Sequence, residues 1–158
     1  MTASKWLGVA LWGGGTIVLD QLTKLAATEF LAPVGLVKII PGFLNLAFVL
    51  NPGAAFGLFG GQPGGSRIII LTALAAAALG VVVLLLVGAK PRERLFVAGL
   101  AMTAGGAVGN IIDRLRLGSV IDFVDVFVST YHWPTFNVAD IGITVGAGLI
   151  VIHLWKQK

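Results

Sequence analysis

The stretch IIILTALAAAALGVVVLLLVGA, Ile68 to Ala89, decides the fold class. Its 22 residues carry no charge. As an α-helix at 1.5 Å per residue they extend roughly 33 Å, enough for the ~30 Å hydrocarbon core of a bilayer. A helix on the surface of a soluble domain keeps one polar face, and this one has none. The following connection, Lys90-Pro91-Arg92-Glu93-Arg94, places three positive charges in five residues, which marks a cytoplasmic loop. The helix therefore runs inward and the next one outward.

That next helix is expected over Leu95 to Ile112, and a further one over Asn137 to Trp155, with Lys156 and Lys158 as a second cytoplasmic anchor. On the N-terminal side, Trp6 to Ala27 is apolar enough to span, with Lys5 ahead of it. A cleaved signal peptide is the rival reading, but Asp20 and Lys24 stand where a neutral site of small residues should be. The expectation is an all-α integral membrane protein: four transmembrane helices, both termini cytoplasmic, one domain over residues 1–158. Composition agrees, since 57% hydrophobic against 11% charged residues excludes a soluble enzyme.

Between the first two helices, Pro33, Pro41, Pro52, Pro63 and several glycines break any long helix. Branched and aromatic residues from Val37 to Phe48, around Pro41-Gly42, predict short strands of a small extracytoplasmic β-sheet at the interface. Asp113 to Thr135, with Tyr131, His132, Trp133 and Pro134, reads as an interfacial segment between helices three and four. The net charge of +4 does not indicate nucleic acid, because the eleven basic residues stand singly at the ends of apolar runs. Without cysteine there is no disulfide, thiolate nucleophile or thiolate-ligated metal. His132 and His153 are too far apart in this topology to share a metal.

Of the seven acidic residues, Glu93 belongs to the cytoplasmic loop and Glu29 lies just past helix one. The other five, Asp20, Asp113, Asp122, Asp125 and Asp140, collect toward the extracytoplasmic side. A carboxylate within the membrane costs at least ~2.5 kcal/mol on insertion scales, so a functional reading is the default. Asp140 falls one turn inside helix four, and the antiparallel return can bring Asp122 or Asp125 beside it. Two adjacent carboxylates cannot both ionise easily, and a pair sharing one proton supplies an acid and a base without metal. Spacing alone leaves open whether Asp140 instead caps its helix or pairs with Arg114, and whether Asp122 or Asp125 is its companion. Asp20 and Lys24, four residues apart on one helix face, read as an ion pair. Asn51, Asn110, Asp113 and Arg114 would be penalised by lipid unless they face a polar cavity, and they would either position a substrate backbone or only satisfy exposed backbone. Gly105 and Gly109, with Gly106 beside them, form a small-xxx-small packing face.

Five blocks, Asp20-Gln21-Leu22-Thr23-Lys24, Asn51-Pro52-Gly53-Ala54-Ala55-Phe56, Asn110-Ile111-Ile112-Asp113-Arg114, Val120-Ile121-Asp122-Phe123 and Phe136-Asn137-Val138-Ala139-Asp140, together resemble the bacterial lipoprotein signal peptidases, or signal peptidase II. They span most of the chain in the family's order. The resemblance implies an aspartic membrane protease of the bacterial inner membrane. Its substrates would be diacylglyceryl-modified prolipoproteins, cut immediately before the lipidated cysteine, at a site near the extracytoplasmic face. Asp122 and Asp140 match the family's catalytic pair, and Asp125 falls outside the motif as an interfacial charge. Asp20, Lys24, Asn51, Gly53, Asn110, Arg114, Asn137 and Ala139 match positions that support the site or contact substrate. Pro52 departs from many relatives and bears on loop stiffness. No cofactor or metal is expected, membrane lipid is a partner, and a monomer is the expected state. The competing classes are a proton-coupled carrier, for which four helices without an internal repeat offer no alternating-access symmetry, and a non-catalytic assembly factor, which would not need both aspartates.

Overall fold

The computed structural model describes residues 2–53 and 65–157. The expected breaks around Pro63 and the end of the Asn51–Phe56 block lie outside the described residues. Helix α1 (Thr2–Val9) passes through a π-helical segment (Ala10–Gly14) into α2 (Gly15–Phe30). Val9, Gly14 and Gly15 keep right-handed helical angles at the junctions, so the run continues without a break. Helices α3 (Gly65–Gly88), α4 (Arg94–Leu117) and α5 (Val138–Trp155) follow. Three helical stretches, Ile68–Gly88, Arg94–Leu117 and Val138–Trp155, are long and apolar enough to cross a membrane. The first run is helical over the expected span but is divided by the π segment. Helix α3 exposes apolar side chains such as Ile69, Leu74, Val81 and Leu84, as a lipid-facing helix does.

Helix ends differ from the sequence reading by a few residues, and two of the shifts move charged residues onto helices. Helix α4 continues five residues past Ile112, to Leu117, and is closed by Gly118 at φ 69°, whose N–H donates to the Arg114 carbonyl at 3.0 Å. Asp113 and Arg114 therefore lie on the helix and not in the connection, and Glu29 likewise belongs to α2. The expected small-residue face is where α4 meets its neighbours. A Cβ on Gly105 would strike the backbone of Gly13, and one on Gly109 would strike the Asp20 carboxylate. Close approach at Gly109 is what admits a charged side chain between two helices.

The expected strands form a hairpin, β1 (Leu36–Ile40) and β2 (Leu44–Asn51), and β3 (Val120–Val128) and β4 (Tyr131–His132) complete an antiparallel sheet of order β1-β2-β3-β4. Register pairs Val49 with Asp122 and Asn51 with Val120. After β4 the chain runs back along β3, where Val124 and Phe136 exchange N–H···O bonds of 2.9 and 3.1 Å. This return delivers Asn137 and α5 beside Asp122. A buried cluster of Ala27, Leu31, Ile121 and Phe123 seats the sheet on the end of α2. A second cluster, Leu86, Ala89, Val97 and Leu100, joins α3 to α4 at the opposite end.

Candidate active site

Asp122 and Asp140 are joined by a mesh of amides. Asp122 accepts at Oδ2 from Asn51 Nδ2 and at Oδ1 from Asn137 Nδ2, both at 2.8 Å. Asp140 accepts at Oδ1 from Asn110 Nδ2 at 2.9 Å and at Oδ2 from the Asn137 backbone N–H at 3.2 Å. Asn137 Nδ2 also reaches Asn110 Oδ1 at 3.2 Å, which closes the link between the two carboxylates. Each carboxylate oxygen thus takes one N–H and keeps a lone pair for a proton, water or substrate.

The orientation of all three asparagines follows from partners that can only donate. Asn51 Oδ1 accepts the Gly53 N–H at 2.8 Å, so its NH2 group turns to Asp122. Gly53 sits at φ +90°, and a Cβ there would run into Leu71, so glycine is required in this turn. Asn137 Oδ1 caps α5 by accepting from Asp140 N at 3.0 Å, which aims its NH2 at Asp122. Asn110 Oδ1 faces the ammonium of Lys24 at 3.0 Å, so its NH2 faces Asp140. Capping does not exclude a link to Asp122, since Asp140 takes part in the capping box of α5 and is also connected to Asp122 through Asn110 and Asn137. The alternative partner, Arg114, makes no ion pair among the described residues and donates only to its own helix, at Asn110 O, 3.4 Å.

Behind this mesh lies a buried charge cluster. Lys24, 2% exposed, gives its three protons to Asp20 Oδ2 (2.9 Å), Asp113 Oδ2 (2.8 Å) and Asn110 Oδ1 (3.0 Å). The expected Asp20–Lys24 pair is present, and Asp113 joins it. Gln21 Nε2 adds bonds to Asp20 Oδ2 (3.1 Å) and Asp113 Oδ1 (3.3 Å). Asp20 Oδ1 accepts from Ala139 N at 2.9 Å, and Asp113 Oδ2 from Ile121 N at 3.2 Å. Gln21 and Asp113 lie inside the blocks read from the sequence, but nothing in their spacing showed that they close this cluster.

Asp125 is not a solvated interfacial charge. It is 5% exposed, accepts from Asn45 Nδ2 at 2.9 Å and lies 2.7 Å from His132 Nδ1, with His132 stacked on Phe127. These contacts tie β2, β3 and β4 together one turn of pleat away from the Asp122 mesh. Burial opposes its charge, but the His132 and Asn45 hydrogen bonds outweigh that and hold its carboxyl below the usual range. At Asp122 the balance is reversed: burial, with the like charge of Asp140, pushes its carboxyl from 3.8 to about 6 against the Asn51 and Asn137 bonds. Asp122 therefore titrates where a general base is useful at neutral pH, and Asp125 does not. Beside Asp140 an open apolar groove lined by Trp133, Phe136, Ile141, Thr144 and Val145 runs down α5.

Comparison with known proteins identifies the family. The family model described as Signal peptidase (SPase) II matches residues 14–156. A lipoprotein signal peptidase of Syntrophus aciditrophicus (strain SB) is 40% identical over 147 residues, 92% of this chain and 91% of that protein. One of Paraburkholderia phymatum is 45% identical over 148 residues, 94% of this chain and 86% of that protein. A bacterial membrane enzyme solved by the in meso method at 1.9 Å superposes with a TM-score of 0.78 at 30% identity, covering 95% of this chain and 94% of its own. The family match and the superposition each cover nearly the whole chain, and the chain belongs to the signal peptidase II family.

Proposed function

We propose that this protein is an aspartic endopeptidase that removes the signal peptide from diacylglyceryl-modified prolipoproteins, cutting immediately before the lipidated cysteine. The observation that carries the reading is the amide-linked pair of Asp122 and Asp140 at the mouth of an apolar groove. The reaction uses the pair with one proton between its members. Its ionised carboxylate takes a proton from water while the protonated one donates to the scissile carbonyl oxygen. The hydroxide so generated attacks the carbonyl carbon and gives a tetrahedral intermediate. Collapse breaks the C–N bond, and the proton taken from water passes to the leaving amine. No cofactor is consumed.

Asn51, Asn110 and Asn137 hold the two carboxylates, and Arg114, which makes no direct ion pair among the described residues but lies in the field of Asp140, Asp113 and Asp122, is assigned to the substrate backbone. A diacylglyceryl group staying in the bilayer contributes about 0.8 kcal/mol per buried methylene, so lipid itself fixes the adjacent peptide bond at the height of the pair. Purified protein should cleave a lipidated prolipoprotein in detergent with undiminished rate under a metal chelator, and the unlipidated form far more slowly. Equal kcat/KM for the two forms would leave a general membrane protease as the better description.

The same reading places four spans in the inner membrane with the pair toward the outer face. Lys5 Nζ donates to the carbonyls of Val87 (2.9 Å) and Ala89 (2.8 Å), which sets the start of the first helix at the same end as the Lys90–Arg94 connection. The positive charge of that connection favours the cytoplasmic side. Reporter fusions after Gly61 and after Ser129 should both report outside, and an inside signal at either site would overturn this topology.

A further inference from the structure

The proposed reaction leaves three buried carboxylates, Asp20, Asp113 and Asp125, without a part, and Asp113 shares its donors with Asp20 directly behind the pair. Asp113 is 2% exposed and lies on the interior face of α4, where it accepts from Lys24, Gln21 and the backbone N–H of Ile121. Ile121 immediately precedes Asp122. Asp20 occupies the mirror position: it accepts from Lys24, Gln21 and the backbone N–H of Ala139, which immediately precedes Asp140. Two carboxylates that share one ammonium and one carboxamide therefore each grip the peptide group in front of one member of the pair. Gly109 gives Asp20 the space to do so.

We propose that Asp113 is a positioning residue: with Asp20, and through Lys24, it forms a clamp that sets the separation of Asp122 from Asp140. The third proton of Lys24 fixes the amide of Asn110, and through it Asp140. Asn110 also accepts from Asn137, which donates to Asp122, so the clamp reaches each member of the pair both through the preceding peptide N–H and through the asparagines. Asp113 is the sole direct hydrogen-bond link from the clamp to the backbone of β3 among the described residues, since Asp20 reaches only α5. Helix positions and strand register then depend on one set of buried charges, and a displacement on the ångström scale at the pair suffices to lower turnover by about 10²-fold.

This inference rests on the Asp122–Asp140 reading, and the experiment separates the two. Full-length wild type, Asp113→Asn, Asp113→Glu and Asp122→Asn are purified in one detergent, and kcat, KM and thermal unfolding are measured on the monodisperse fraction. Asparagine has the shape of aspartate but must turn its NH2 toward one of the three donors, so kcat should fall at least about tenfold with KM within about twofold. Glutamate keeps the charge for Lys24 but is one methylene too long for Ile121, so unfolding temperature should recover while kcat stays low. If Asp113→Asn yields no folded protein, that split in Asp113→Glu carries the test. Wild-type kcat in either Asp113 variant with an inactive Asp122→Asn overturns the clamp and leaves the pair standing. So does a kcat that tracks unfolding temperature across the variants. An active Asp122→Asn overturns the pair and the clamp together.

Discussion

Asparagine at position 122 or 140 should lower kcat by at least ~10²-fold, the lower range for a positioned acid–base group, with the fold retained. An amide cannot take a proton from water, nor can it hold the proton that the leaving amine needs. Its single oxygen can accept one of the two N–H bonds that each aspartate receives, and its NH2 must face the other donor. A modest loss of stability should therefore accompany a much larger loss of turnover. The wild-type enzyme carries a further signature. Asp122 is raised from 3.8 to about 6, so its ionised form is complete above that pH and is lost as pH falls through it. The acid limb of kcat/KM should accordingly lie near pH 6, where an unperturbed carboxylate would place it near 4. Asp125→Asn is the control. Its partners, His132 and Asn45, bind strands together away from the pair, so the variant should lose some stability but keep most of its turnover. A dead Asp125→Asn beside a normally cleaving Asp122→Asn would mean that the pair is misassigned.

The apolar spans were legible because lipid removes ambiguity: Ile68 to Ala89 has no polar face to hide, and any helix without one must meet hydrocarbon. The hairpin at Val37–Phe48 was legible from branched residues flanking Pro41-Gly42. Strand β3 carries the same signal, since Val120-Ile121-Asp122-Phe123-Val124-Asp125-Val126-Phe127-Val128 is branched or aromatic at every position except the two aspartates. Those aspartates, three residues apart, break the period-two alternation of a half-buried strand, so the stretch reads only as an interfacial segment. Asp113 was hidden for a related reason. Its block was read from the sequence, but the partner that gives it meaning, the Ile121 N–H, depends on α4 extending to Leu117 and turning at Gly118. Spacing reports which residues share a helix face. It does not report which backbone donor a carboxylate meets after a turn.

Lys24→Met should be the most damaging substitution for stability, at about 3–5 kcal/mol, the range for removing one partner from a buried ion pair. Methionine fills nearly the same space, so little of the effect comes from a cavity. What remains is two carboxylates, Asp20 and Asp113, with 0% and 2% exposure, whose shared counter-charge is gone and whose remaining common donor is the neutral Gln21 amide. Asn110 also loses the donor that fixed its amide, so the NH2 aimed at Asp140 is free to turn away. The electrostatic part of this argument can be isolated by removing all three charges at once. A buried ionic group exchanged whole leaves no uncompensated charge behind, and with well-packed hydrophobic replacements the exchange is often neutral in stability or better. The triple variant Lys24→Met/Asp20→Asn/Asp113→Asn should therefore unfold closer to wild type than Lys24→Met does. Turnover should not return with it, because neutral side chains fill the interior without gripping Ile121 and Ala139 as the carboxylates do. Unfolding in a common detergent gives the first comparison and single-turnover cleavage the second. A Lys24→Met variant as stable as wild type would show that the two carboxylates do not depend on its charge, and recovery of both stability and turnover in the triple variant would show that packing alone holds the pair.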